Sequence, residues 1–185
     1  MAVWIGLLIF LVSATDGAAA RPPSECQRYV TTSTAFEEDV RSRGARAVIA
    51  DWINRVEPDQ VAHAWDCLLA AIGGADQGWL DVGSLLWAAA DGASAEDLMW
   101  AFATAVDTNP EAALRHFNSH VVQRLEVVCS VDTLPIERTI QEARVLFARR
   151  RNRVRKVKAS DLRTSVDACL RQVREGEAEL SHEQR

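Results

Sequence analysis

The chain has 185 residues, of which 48% are hydrophobic, and it carries a formal net charge of −5. This length fits a single domain with one hydrophobic core. The mild net charge hides an asymmetry, because residues 21–137 hold 8 basic and 18 acidic side chains whereas residues 138–174 hold 12 basic and 3 acidic ones. The cysteines form no C-x-x-C pair, so the sequence gives no support to a zinc ribbon or a redox motif.

The N-terminal segment has the pattern of a secretory signal peptide. An uninterrupted apolar run from Val3 to Val12 is followed by a polar stretch and by three alanines that end at Ala20. The run is shorter than the ~20 apolar residues of a membrane span. We therefore predict a signal peptide over residues 1–20 and a mature protein that is periplasmic or secreted. A retained N-terminal anchor is the alternative, because no Lys or Arg precedes the run.

The rest of the chain has a helical pattern in which glycine and proline mark the breaks. The predicted helices cover, in chain order, about 33–55 with a break at Gly44, 58–72, 77–90, a helix capped by Ser94, 111–129 with a break at Asn118-Ser119, 135–158, and a last helix capped by Ser160. Short helices on brief connectors imply antiparallel neighbours. We predict an all-α single domain over residues 21–176, a compact bundle or short α-solenoid of about seven to eight helices, and a frayed polar tail over 177–185.

Four cysteines remain after the predicted cleavage: Cys26, Cys67, Cys129 and Cys169. An even number in an exported chain indicates two disulfides, and three pairings are possible. We favour Cys129–Cys169, because each of these residues lies on a helix that flanks the long segment 135–156. The pairing Cys26–Cys67 then follows by elimination.

The middle of the chain resembles a pattern found in small exported all-helical proteins of Gram-negative bacteria that have no assigned role. The residues that carry the resemblance are Trp79-Leu80, Asp91-Gly92, Glu96, Leu98 and Asn109-Pro110-Glu111. They cover about a third of the chain, and they are helix caps and core positions. The resemblance implies an exported helical fold and carries no functional residue over.

No motif predicts a catalytic, metal or cofactor site. His116 and His120 have the four-residue spacing of zinc ligands on a helix, but no Glu follows His116 in the HExxH manner and further ligands are missing. We interpret both as surface histidines. Ser84 follows Gly83, but the sequence continues as a helix instead of forming a nucleophile elbow.

Tryptophan is frequent, and five of the six tryptophans remain in the predicted mature domain. Trp52 and Trp65 fall on the apolar stripes of their helices, so we predict that they are buried. Trp87 and Trp100 are less tied to a stripe. Because tryptophans anchor many protein interfaces, we predict Trp87 and Trp100 as candidate binding residues.

The segment from Arg149 to Lys158 contains seven basic residues and is the most strongly charged feature. In an exported chain it does not indicate nucleic acid, and it lacks the interleaved aromatic side chains of single-strand binding. It can contact an acidic protein, an anionic lipid, a cell-wall polymer or this chain's own acidic half. We predict Arg149, Arg150, Arg153 and Lys156 as the candidate binding surface.

The sequence favours a non-enzymatic periplasmic module that binds another protein. An immunity-type inhibitor of a secreted antibacterial toxin belongs to this class. Small size, a helical build, disulfides, charged faces and the lack of catalytic motifs favour this hypothesis. The alternative is an enzyme or accessory factor of the cell envelope. The sequence does not indicate the oligomeric state.

Overall fold

The computed structural model describes residues 26, 29, 32–54, 64–119, 125–130 and 139–182. Within these ranges the chain forms nine α-helices and no strand, so the predicted disulfide-linked all-α fold is confirmed. The helices are α1 (Ser33–Arg43), α2 (Ala45–Asn54), α3 (Ala64–Gly73), α4 (Gln77–Trp87), α5 (Gly92–Thr108), α6 (Pro110–Ser119), α7 (Leu125–Ser130), α8 (Ile140–Val154) and α9 (Arg163–His182). The predicted signal peptide and His120 lie outside the described residues.

Two helix boundaries lie where the sequence predicted them. Gly44 separates α1 from α2 with a φ of 84°, a left-handed conformation that favours glycine, and its N–H donates to the Val40 carbonyl at 2.9 Å. α6 begins at Pro110, and the side-chain oxygen of Asn109 accepts the N–H of Ala112 at 3.2 Å. The asparagine cap and the proline therefore act together at this start.

Two other helix starts differ from the prediction. α5 begins at Gly92 rather than after Ser94, because Asp91 is its N-cap and the Ser94 hydroxyl accepts the Asp91 N–H at 3.0 Å. The last helix begins at Arg163, because residues Ser160–Leu162 form a short 3-10 turn. In both places the predicted capping serine lies close to the helix start but not at the cap itself.

The basic helix α8 is shorter at its C-terminal end than predicted. It follows Thr139 as N-cap and ends at Val154, whereas the prediction continued it to Lys158. Beyond the end, the N–H of Lys156 donates to the Arg153 carbonyl at 3.0 Å, which is the i to i+3 bond of a tightened last turn. Side chains three residues apart in such a turn lie on the same side.

The C-terminal segment is helical where a frayed polar tail was predicted. α9 continues through Gly176 to His182, and Leu180 is buried beside Phe147. A Cβ atom at position 176 would lie 2.8 Å from Cζ of Phe147, so the glycine lets the ring pack directly on α9. The prediction was wrong because Gly176 was interpreted as the end of a helix. Residues 183–185 lie outside the described residues.

α5 lies at the centre of the fold and contacts α3, α4, α6, α7 and α8. These contacts surround α5 with other helices, so the all-α fold is compact. The predicted burial of Trp52 and Trp65 is confirmed. Phe36 meets Trp52 edge to face with ring centroids 4.9 Å apart, and the Trp65 indole N–H donates to Asp97 at 2.8 Å.

Both predicted disulfides are present, Cys26–Cys67 and Cys129–Cys169, and they join residues 41 and 40 positions apart. The second one links α7 to α9. Disulfides persist in oxidising compartments, so the pairs agree with folding outside the cytoplasm. Among the described helices, none combines the length and the apolar character that crossing a membrane requires.

Candidate functional site

Helix geometry divides the basic residues of segment 149–158 into an inward and an outward group. Side chains at successive helical positions point in different directions around the axis. α8 turns Ala143, Phe147, Arg150 and Val154 toward the protein interior. Arg150 is fully buried, so its prediction as a binding-surface residue was wrong. The physical reason is its place on the core-facing stripe of α8, between Phe147 and Val154.

The buried guanidinium of Arg150 connects three helices. Its Nε and Nη2 donate to the two carboxylate oxygens of Asp107 at 2.8 and 2.9 Å, and its Nη1 donates to the Cys129 carbonyl at 3.0 Å. Asp107 belongs to α5 and Cys129 to α7. A buried charge is tolerated only with paired, well-oriented partners, and this bidentate contact supplies them.

Two further arginines of the segment also bind within the molecule. Arg151 forms an ion pair with Glu177 of α9. Arg153 donates from Nη1 to the backbone carbonyl of Asp107, although its side chain stays exposed. Part of the basic segment therefore stabilises the fold through α5 and α9.

The outward-facing cations form a basic ridge, which consists of Arg149, Arg153, Arg155, Lys156 and Lys158. All five are exposed. Within the described part of the chain, none of them forms a salt bridge with a carboxylate. The ridge lies at the C-terminal end of α8, where the helix dipole favours positive charge. Three predicted surface residues, Arg149, Arg153 and Lys156, belong to this ridge.

The two predicted tryptophans lie in different surroundings and away from α8 in sequence. Trp87 is half-buried at the end of α4, and its ring meets Phe102 edge to face with centroids 6.5 Å apart. Its main contribution is therefore to core packing. Trp100 on α5 is 38% exposed. Of the two, only Trp100 offers a large apolar surface to a partner, and it lies on a different helix from the basic ridge.

A polar cluster that was not predicted from the sequence joins α4 to α6, and its Ser84 and His116 side chains are buried. The Ser84 hydroxyl lies 2.7 Å from Nε2 of His116. Nδ1 of His116 lies 3.3 Å from a carboxylate oxygen of Asp81 and 3.1 Å from Nε2 of Gln77. His116 is 1% exposed, so its interpretation as a surface histidine was wrong. Asp81 and Ser84 share a face of α4, but only tertiary packing brings in a histidine 32 residues later.

The order serine, histidine, carboxylate is that of a hydrolytic triad, but the surroundings are those of a core. Phe102 stacks on the His116 ring at 6.3 Å, and Phe117 meets its edge at 5.7 Å. Ser84 is 9% exposed and lies inside α4, where helix hydrogen bonds occupy the backbone N–H groups. A nucleophile needs an accessible Oγ and N–H donors for the oxyanion. These surroundings favour hydrogen-bonded packing between two helices over catalysis.

Among the residues that the structure describes, no group of three or more His, Cys, Asp or Glu side chains is arranged to hold a metal ion.

An open groove of about 460 Å³ lies between α2 and the start of α5. Ile49 and Ile53 form part of its apolar wall, and Arg46 and Asp91 place one positive and one negative group at it. Ile53 is exposed. Among the described residues that line the groove these two charges balance, so they give no net charge that would select a charged ligand.

One basic side chain outside the ridge has a shifted pKa. Arg115 of α6 donates to Asp161 at 2.5 Å and to Glu111 at 3.2 Å. The hydrogen bond to Asp161, and then the one to Glu111, raises the pKa of Arg115 above its ordinary value. The contact ties α6 to the 3-10 turn that precedes α9, so this arginine has a role within the fold.

Comparison with known proteins gives no relative from which a site could be transferred. The chain matches no protein-family model, and the searches of curated proteins and of solved structures find no similar protein.

Proposed function

We propose that this protein is a non-enzymatic binding module of the periplasm whose basic ridge binds an acidic surface of another protein. The observation that carries the proposal is the division of segment 149–158. Arg150 and Arg151 pair with carboxylates of this chain, whereas the exposed ridge has no such pair among the described residues. Exposed cations gathered at one helix end attract an acidic partner and speed the encounter.

The compartment supports the same proposal. The signal-like segment 1–20 and the two disulfides favour export to an oxidising compartment, where a nucleic-acid partner is not expected. An immunity-type inhibitor of a secreted antibacterial toxin fits this class, because it needs a small rigid body and a charged face but no catalytic group. Contact of the ridge with a membrane or a cell-wall polymer is the alternative use of the same charge.

Replacing Arg149, Arg153 and Lys156 together by Glu is expected to weaken binding of a protein captured from periplasmic extract by about tenfold or more. The salt dependence of the remaining affinity should fall, because fewer attractive charges are left to screen. The melting temperature should fall only slightly, since all three side chains are exposed and Arg153 alone loses a hydrogen bond within the molecule, its donation to the Asp107 carbonyl. Calorimetric titration at two salt concentrations and thermal melting measure these effects.

The matched control reverses three exposed cations of α9, Arg163, Arg171 and Arg174, and changes the net charge by the same amount. This control should keep the affinity. Equal weakening by both variants would mean that only the net charge matters. A ridge variant that loses stability but binds normally would mean that the ridge serves the fold. Either result contradicts the proposal.

The second candidate function is an enzyme of the cell envelope, and the cluster of Ser84, His116 and Asp81 is the observation that favours it. In such an enzyme the Ser84 Oγ would attack a carbonyl carbon, His116 would take the hydroxyl proton at Nε2, and Asp81 would orient the ring through Nδ1. The burial of Ser84 and His116 makes this the weaker candidate.

Ser84→Ala separates the two candidates. If the cluster is packing, the variant is expected to lower the free energy of unfolding by about 1–3 kcal/mol, because it removes the buried hydrogen bond between the Ser84 hydroxyl and Nε2 of His116. Urea unfolding measures this change. Ser165→Ala is the control, since that buried serine reaches only Asn118, at 3.4 Å, and should cost less. Labelling of the wild-type protein at Ser84 by a fluorophosphonate, lost in Ser84→Ala, would instead favour the enzyme.

A further inference from the structure

The outward face of α8 carries an apolar side chain next to the basic ridge. Val145 is 52% exposed, more than any other large apolar side chain in the described part of the chain. It lies four residues before Arg149, which in turn lies four residues before Arg153. Residues four apart on a helix are neighbours on one face, so these side chains form a continuous row.

The row ends with Lys156, which the tightened turn keeps on the same side as Arg153. From Val145 to Lys156 the row is about 16 Å long, at ~1.5 Å per helical residue. Its two ends differ in chemistry, because the N-terminal end is apolar and the rest is positive. A complementary surface must therefore place an apolar group at one end of the row and negative groups along the rest.

We infer that the partner contacts this row with an acidic helical segment, in which an apolar side chain covers Val145 and carboxylates pair with Arg149, Arg153 and Lys156. This inference rests on the proposed function and adds the partner's chemistry to it. Ridges of side chains spaced by four residues pack against each other in helix pairs, so a partner helix matches the spacing of the row. The carboxylates supply the opposite charge, and the apolar contact fixes the register along α8.

A protein segment fits the row better than an anionic membrane does. Peripheral helices held by a bilayer bury a broad apolar face of several large side chains. On the outward row of α8 only Val145 is a large exposed apolar side chain, and polar or charged residues occupy its other positions. One valine offers an acyl chain little contact, but it suffices to fix the register of a single partner helix.

The test uses the mature chain and synthetic helical peptides as probes. One peptide carries a Leu and three Glu residues that lie four, eight and eleven positions after it. A second peptide has the reverse order, so that both parallel and antiparallel binding to α8 are tested. A Ser analogue of each replaces only the Leu and keeps the charge. Fluorescence anisotropy gives the affinities, and vesicles of phosphatidylglycerol are titrated in parallel.

One Leu peptide is expected to bind about fivefold more tightly than its Ser analogue, because the apolar contact is lost in the analogue. Val145→Ser should remove this preference. The matched control Val127→Ser, at a valine of α7 that is 42% exposed, should keep it.

Three results would overturn the inference. In the first, the Leu and Ser peptides bind equally well and the Glu substitutions in the ridge abolish the binding of both. The ridge would then accept any polyanion, and the proposed function would stand. Failure of all peptides to bind would reject the helical segment but would leave the captured-protein experiment to judge the proposed function. Tighter ridge-dependent binding to vesicles than to any peptide would overturn both proposals in favour of a membrane surface.

Discussion

Replacing Arg150 by Ala is expected to lower the free energy of unfolding by about 3–5 kcal/mol. The variant leaves the Asp107 carboxylate without its bidentate partner and the Cys129 carbonyl without its donor. An unpaired buried charge is costly because protein atoms solvate it poorly. Urea unfolding at 25 °C, followed by circular dichroism, measures the change.

Two comparisons separate the lost charge pair from other causes. Arg149→Ala removes an exposed neighbour and should change the free energy of unfolding by less than about 0.5 kcal/mol. The double variant Arg150→Met, Asp107→Leu removes both charges and should cost less than Arg150→Ala, because no buried charge is left unpaired. If Arg149→Ala and Arg150→Ala were equally mild, the buried pair would contribute nothing measurable, and Arg150 would have no structural role.

The inward turn of Arg150 could have been predicted from the sequence. Ala143, Phe147 and Val154 follow the spacing of a core-facing stripe, and Arg150 fills the one remaining position in it. In a run of basic residues this spacing is hard to recognise, because the inward and outward positions are both occupied by charged side chains. Helix phase, rather than composition, therefore decides which cations of the segment serve the fold and which are available to a partner.

Other features depend on tertiary contacts that no local pattern contains. Ser84 and His116 lie on separate helices 32 positions apart, so the local sequence does not show that their side chains meet. The continuation of α9 was missed for a similar reason. Glycine often ends a helix. Here Phe147 of α8 packs against Gly176, and Leu180 adds a buried contact beyond it. Helix types and caps follow from local propensity, whereas these contacts follow from how the helices pack.

The disulfide pairing was predicted correctly because it rests on topology that the helix order already implies. Helices on either side of α8 must return past one another in a compact bundle, which brings α7 and α9 together. Cys129 and Cys169 are the cysteines on those two helices. The loop closed by Cys26–Cys67 ends before the loop closed by Cys129–Cys169 begins, so the two loops do not overlap along the chain.

Replacing Cys129 and Cys169 together by Ala is expected to lower the free energy of unfolding by about 4 kcal/mol, the chain-entropy value for a loop of this length. The loss arises mainly in the unfolded chain, which gains conformational freedom when the cross-link is absent. α7 has only six residues, too few to be stable as an isolated helix, so its amide hydrogens should exchange faster than those of α5. Urea unfolding and hydrogen exchange measure the two effects.

The other disulfide provides the matched control for this prediction. Cys26–Cys67 spans 41 positions and Cys129–Cys169 spans 40, so chain entropy alone predicts nearly equal losses for the two double variants. The loops do not overlap, and the losses should therefore be close to additive when all four cysteines are replaced. A loss below about 1 kcal/mol for the Cys129 and Cys169 variant would contradict the entropic account, because that account gives about 4 kcal/mol for a loop of this length. In that case the native contacts around α7, including the Arg150 donation to the Cys129 carbonyl, would hold this end of the bundle without the cross-link.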